Sequence, residues 1–132
     1  MPILKIIWAA LLICVLIYGA VLWQIALTWG ETEPRSIEQL GANPFVLVLA
    51  LMALISMAMA FTIPNLMMRG RELTPEVMRV RSIVQWALIE TVAIYGLVGA
   101  FIVQDARVFV AFGSVAILGF LLTFPSSERT PP

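Results

Sequence analysis

Four long apolar runs, at 6–29, 45–68, 82–104 and 108–125, alternate with short polar segments and take up most of the 132 residues. About 20 residues at 1.5 Å rise cross a bilayer's hydrocarbon core, so apolar runs of 18 or more predict membrane helices. The pattern therefore predicts an all-α polytopic integral membrane protein, one membrane domain over 1–132 with four transmembrane helices in an antiparallel bundle. The longest polar stretches, 30–43 and 69–81, are loop-sized and leave nothing to build a soluble domain. The polar, Pro-rich stretch 126–132 reads as a disordered tail.

Local punctuation refines these elements. Thr74-Pro75-Glu76 has the form of an N-cap followed by Pro at the first helical position, predicting a short helical turn ahead of the third span. Gln104-Asp105-Ala106-Arg107 is a tight connection, so spans three and four should pack as an antiparallel hairpin. Pro64 is expected to kink span two or mark its end, with Asn65 satisfying a freed backbone group. The first run is too long for a signal-peptide core and lacks a good cleavage site, so it reads as a retained helix.

Composition agrees and removes several functions. The chain is 61% hydrophobic and 12% charged, where a soluble domain carries about 25% charge. Net charge is zero, so no electrostatic argument points to nucleic acid. The chain has one cysteine, Cys14, and no histidine. An intrachain disulfide, Cys-rich or His-based metal sites, His haem ligation and a Ser-His-Asp triad are thereby excluded. Catalysis would rest on carboxylates without a visible nucleophile–base pair, so the chain is not read as an enzyme, and no cofactor or metal is expected.

The basic residues set an orientation. Lys5, Arg69, Arg71, Arg79, Arg81 and Arg129 fall on one side of the expected topology, against Arg35 and Arg107 on the other. By the positive-inside rule both termini are cytoplasmic, and a bacterial inner membrane is the expected location. Arg69, Arg71, Arg79 and Arg81 form a cytoplasmic basic loop suited to topology and to anionic headgroups, or to a cytoplasmic partner.

One ionisable residue lies inside a span. Glu90, in Trp86-Ala87-Leu88-Ile89-Glu90-Thr91-Val92-Ala93-Ile94-Tyr95, sits roughly 12 Å from the cytoplasmic end of span three. A charge there costs about 2.5–3.5 kcal/mol on insertion scales, so the neutral, protonated carboxyl is favoured, and it can donate a hydrogen bond to a neighbouring helix. Two readings stay open: a proton- or cation-binding group, or a structural acid joining helices. Tyr95 is about 140° round the helix from Glu90, so the two meet only if another helix packs between them.

Small residues at helical spacing mark packing faces: Ala50, Ala53, Ser56 and Ala60 in span two, and Ala93, Gly96 and Ala100 in span three. They suit close helix approach within the chain or between subunits. The methionines of span two, such as Met57 and Met59, point to different sides of a helix and read as adaptable packing. A weak internal repeat aligns residues 13–21 with 90–98, sharing Ile-Tyr-Gly, with Ile13 where Glu90 stands. Spans one and three would then be parallel copies.

The Glu90 helix resembles the ion-carrying helix of rotary ATPase proteolipids (subunit c), and the polar loop before it occupies the matching place. The resemblance implies that Glu90 is an ion-binding carboxyl, with Thr91 and Tyr95 matching the hydroxyl and Tyr of sodium-type members. Span two lacks that family's glycines and its Gln, and two further spans flank the hairpin. The whole chain resembles small four-span bacterial membrane proteins that share this Glu helix. The expected function is a proteolipid-like membrane subunit in the lipid bilayer, acting in a homo-oligomer or with other membrane subunits. The alternative is a non-catalytic structural or assembly subunit of a larger membrane complex.

Overall fold

The computed structural model describes residues 2–29, 36–70, 72 and 74–125. Five helices make up this part: α1 (Pro2–Ala26), α2 (Ile37–Ala42), α3 (Pro44–Met67), α4 (Pro75–Val103) and α5 (Ala106–Leu122). The fold is all-α, with no strand among the described residues. The tail 126–132 expected to be disordered lies outside the described residues, as does Arg71.

Three helices, α1, α3 and α4, are long and apolar enough to cross a membrane. The fourth expected span is shorter than its apolar run: α5 has 17 residues, or about 25 Å against a hydrocarbon core of about 30 Å. Asp105 is its N-cap, accepting from the Arg107 amide at 3.0 Å. The helix closes at Thr123, whose hydroxyl and amide both turn back to the Gly119 carbonyl.

Other boundaries also moved. Thr74 caps α4 by accepting from the Val77 amide, and nothing breaks the 29 residues from Pro75 to Val103. The separate turn expected before span three is thus the first part of one continuous helix. The short helix α2 was not foreseen, although Ser36 and Gln39 form a reciprocal capping box. Asn43 then caps α3 through the Phe45 amide. Pro64 does not end α3, which continues to Met67. Asn65 donates to the Phe61 carbonyl at 3.0 Å, one carbonyl beyond the Ala60 group that Pro64 leaves without its amide partner.

The contacts fix the directions. Trp8 of α1 donates to the Phe120 carbonyl at 2.8 Å, and Trp86 of α4 to the Thr123 carbonyl at 3.2 Å. At the opposite end the Trp29 and Phe101 rings meet edge to face, 6.0 Å apart. So α1 and α4 run parallel, and both are antiparallel to α5. α3 runs antiparallel to α4: Asn65 meets Arg81 at one end, and Leu49 lies against Gly99 toward the other. The α4–α5 hairpin is central, with α3 packed mainly on α4 and α1 packed on both hairpin helices.

Periodicity explains this arrangement. Leu4, Trp8, Leu11, Val15, Tyr18 and Leu22 advance in steps of four and three and form the inward stripe of α1. Its other faces carry exposed Ile6, Ile13, Leu16, Ile17 and Val21. α4 is buried along two stripes, one through Ile89, Val92 and Gly99 and the other through Trp86, Ala93 and Ala100. This is what a central helix with neighbours on several sides requires.

Of the small residues on α3, Ala53, Ser56 and Ala60 are buried, while Ala50 is exposed, so the packed stripe is shorter than its spacing implies. Ala93, Gly96 and Ala100 are buried within the chain. α5 supplies small residues of its own at Gly113, Ala116 and Gly119, with Gly119 closely facing Ile89 and Met57. Trp86 is 1% exposed and ties α4 to the end of α5. Trp86→Phe is expected to cost about 2 kcal/mol through the lost N–H bond and lost volume. A lowered thermal midpoint in detergent checks it, with Trp8→Phe, at a partly buried site, costing less.

Candidate functional site

Glu90 lies one residue past the midpoint of α4, counting from Pro75 to Val103. Its neighbour Ile89 is wholly buried, and Glu90 itself, beside that face, is half-buried. The Tyr18 hydroxyl of α1 donates to Glu90 Oε1 at 3.0 Å. Tyr18 is half-buried and belongs to the inward stripe of α1, so the parallel packing of α1 on α4 delivers the phenol to the carboxyl. The bond spans 72 positions in sequence.

The other residues expected at the site do not converge there. Thr91 donates its hydroxyl to the Ala87 carbonyl of its own helix at 2.8 Å, so that proton is committed. Tyr95 is half-buried against the core and makes no bond to Glu90, as the angle of about 140° round the helix dictates. Within the chain the structure brings Tyr18 to Glu90, and Thr91 and Tyr95 make no bond to it. α3 contributes no hydrogen bond to Glu90 among the described residues: Thr62 bonds the Ala58 carbonyl, and Ser56 is buried without reaching it.

The resemblance covers only the hairpin of spans two and three, whereas the partner of Glu90 comes from α1. Two signals pointed elsewhere. The four-three spacing of apolar positions in α1 runs through Tyr18, and the internal repeat puts an Ile-Tyr-Gly on both α1 and α4. The two copies meet α5 in similar ways. A Cβ on Gly19 would lie 3.2 Å from the Phe109 ring, and one on Gly96 would lie 2.4 Å from Phe112 Cβ. Two parallel helices gripping a common third helix bring the Tyr of α1 to the Glu of α4.

The chemistry this permits is narrow. One carboxyl and one phenol offer a proton donor and acceptors in a half-buried setting. Cys14 sits one turn before Tyr18 and is half-buried. Among the described residues no group of three or more His, Cys, Asp or Glu could hold a metal ion. Two apolar grooves of about 220 and 290 Å3 flank α5, and neither is lined by Glu90 or Tyr18. The site is a carboxyl paired with a phenol between two parallel helices.

The basic loop is only partly gathered. Arg69 is exposed on the turn after α3, and Arg79 and Arg81 are half-buried on α4. Arg81 Nη2 donates to Asn65 Oδ1 at 3.1 Å. Gly70 takes φ 72, the left-handed backbone that lets the chain leave α3 and turn toward α4.

No protein family, curated protein or solved structure matches the chain.

Proposed function

We propose that this is a four-span protein of a bacterial inner membrane, with cytoplasmic termini, in which Tyr18 and Glu90 hold a proton within the bilayer. It acts as a proteolipid-like subunit of an oligomer or larger membrane complex. The observation that carries this reading is the Tyr18–Glu90 bond between two parallel helices, at the middle of α4. A carboxyl at such depth is costly when charged and changes state when a proton arrives or leaves. The phenol gives it a fixed partner from another helix. A proton suits the pair better than a metal cation, because Thr91 is committed to its own helix and Tyr95 does not reach. A desolvated cation needs more oxygen ligands than these two side chains supply.

Labelling with a hydrophobic carbodiimide tests the site, since that reagent captures a protonated carboxyl in apolar surroundings. Glu90 is expected to label at low pH, to label less as pH rises, and to be indifferent to sodium. Protection by sodium would replace the proton with a metal ion, and absence of labelling at every pH would remove the reading.

The second reading, a structural or assembly subunit, is favoured by the same bond seen as a clamp between α1 and α4. Ala53, Ser56, Ala60, Ala93, Gly96 and Ala100 are occupied inside the chain. Contacts to other subunits then fall to exposed apolar faces such as Ile13, Leu16 and Ile17 of α1. For topology, a reporter fused after Pro132 is expected on the cytoplasmic side, and one inserted in the first loop on the opposite side. The reverse pattern would overturn the orientation.

A further inference from the structure

At the α3–α4 end of the bundle a cleft of about 220 Å3 is lined by Met67, Met68, Glu76, Val77, Val80 and Arg81. We propose that it holds one phospholipid whose headgroup carries both a phosphate and a primary amine, with Arg81 taking the phosphate and Glu76 the ammonium.

Four observations lead there. First, four of the six lining residues are apolar, two methionines and two valines that suit the start of an acyl chain. Second, one cation and one anion complete the lining, and no ion pair joins them among the described residues. A purely anionic headgroup would satisfy Arg81 and be repelled by Glu76. A phosphate with an attached ammonium complements both. Third, the Arg81 guanidinium is held in place. Its Nη2 donates to Asn65 Oδ1 at 3.1 Å, and its buried Nε has no acceptor among the described residues. The remaining Nη N–H groups are left for an oxygen-rich ligand.

The fourth observation is depth. Arg81 precedes Glu90 by nine residues on one helix, or about 13 Å. On the proposed placement of Glu90 near the bilayer centre, on which this depth rests, Arg81 would reach the edge of a hydrocarbon core whose half-thickness is about 15 Å. Glu76 lies about 7 Å further out, in the headgroup zone. The order along the helix, cation and then anion moving outward, matches a phosphate nearer the glycerol and an amine beyond it. Arg69 and Glu72 are exposed nearby and offset one another in sign.

The test is lipid retention. The full-length protein, purified from mixed bilayers of phosphatidylethanolamine, phosphatidylcholine and phosphatidylglycerol with identical chains, is analysed for tightly retained lipid by mass spectrometry. Phosphatidylethanolamine is expected to be enriched about fivefold over each of the others, the ratio given by about 1 kcal/mol. Glu76→Gln should abolish its advantage over phosphatidylglycerol. Arg81→Gln should lower retention of both, and Arg81→Lys should restore part of it. Helical circular dichroism reports whether each variant folds, and Arg81→Lys, which keeps the charge, serves if Arg81→Gln does not. Equal retention of the three lipids, a preference for phosphatidylglycerol, or retention unchanged in both the Glu76 and Arg81 variants overturns the proposal.

Discussion

Gly96→Ala is expected to destabilise the protein by about 1–2 kcal/mol, and Gly96→Leu to separate α5 from α4 altogether. A Cβ at Gly96 would stand 2.4 Å from Phe112 Cβ, 3.1 Å from Phe112 Cγ and 3.5 Å from the Phe109 Cα. Phe112 Cβ is attached directly to the α5 backbone and cannot swing aside as a side-chain tip can, so the helix itself must move. Overpacking costs about 1–3 kcal/mol, and a contact this short against a backbone-anchored atom belongs to the upper part of that range, about 2–3 kcal/mol. Against it stands the helical preference for Ala over Gly, about 1 kcal/mol, so the loss wins for Ala and grows with side-chain size. Gly41 in α2 is the control: nothing lies within 4 Å of its Cβ position, and its replacement by Ala should not destabilise. Unfolding midpoints in detergent read the difference. A Gly96→Ala protein as stable as the parent would mean that α4 and α5 are not in the close contact described.

The second large effect concerns Glu90. Glu90→Gln should abolish carbodiimide labelling and any proton-dependent activity of the assembled protein, while leaving stability within about 1 kcal/mol. The amide oxygen can still accept from the Tyr18 hydroxyl, so the clamp between α1 and α4 survives when titration does not. This separates the two readings. If proton holding is the function, Glu90→Gln is inactive though folded. If the residue is only a clamp, Glu90→Gln behaves as the parent, and Glu90→Leu and Tyr18→Phe are the damaging variants. Intramembrane hydrogen bonds measured by double-mutant cycles average about 0.6 kcal/mol and reach about 1.7. A Tyr18→Phe and Glu90→Leu cycle should therefore show coupling of that order, and strict additivity would argue against the bond.

How far the molecule could be read in advance depended on the kind of interaction. Apolar runs and helix signals are local, so the helical class, α1, α3 and the cap at Thr74 were legible from neighbouring residues. Boundaries governed by competition were less so. Pro64 is expected to kink span two or mark its end; α3 runs three residues past it, with Pro64 itself buried against the bundle. Ala50 has the right spacing for the packed face and is still exposed, because spacing says which side a residue takes and not how far along a neighbour stays close. Arg79 and Arg81 were counted as loop residues and instead continue α4.

The sequence by itself determined that Glu90 is an isolated acid in an apolar helix, because composition and the 1.5 Å rise suffice for that. It also determined that Tyr95 could not reach Glu90 within one helix, since the angle between them is set by helix geometry alone. Only the tertiary structure decided that Tyr18 is the partner. That depends on α1 lying parallel to α4 across the same α5, with Gly19 against Phe109 and Gly96 against Phe112 permitting the close approach. Local periodicity fixes which face of a helix is apolar. Which neighbour covers that face is settled by packing among all the helices at once, and the 72 positions separating Tyr18 from Glu90 carry no local trace of it.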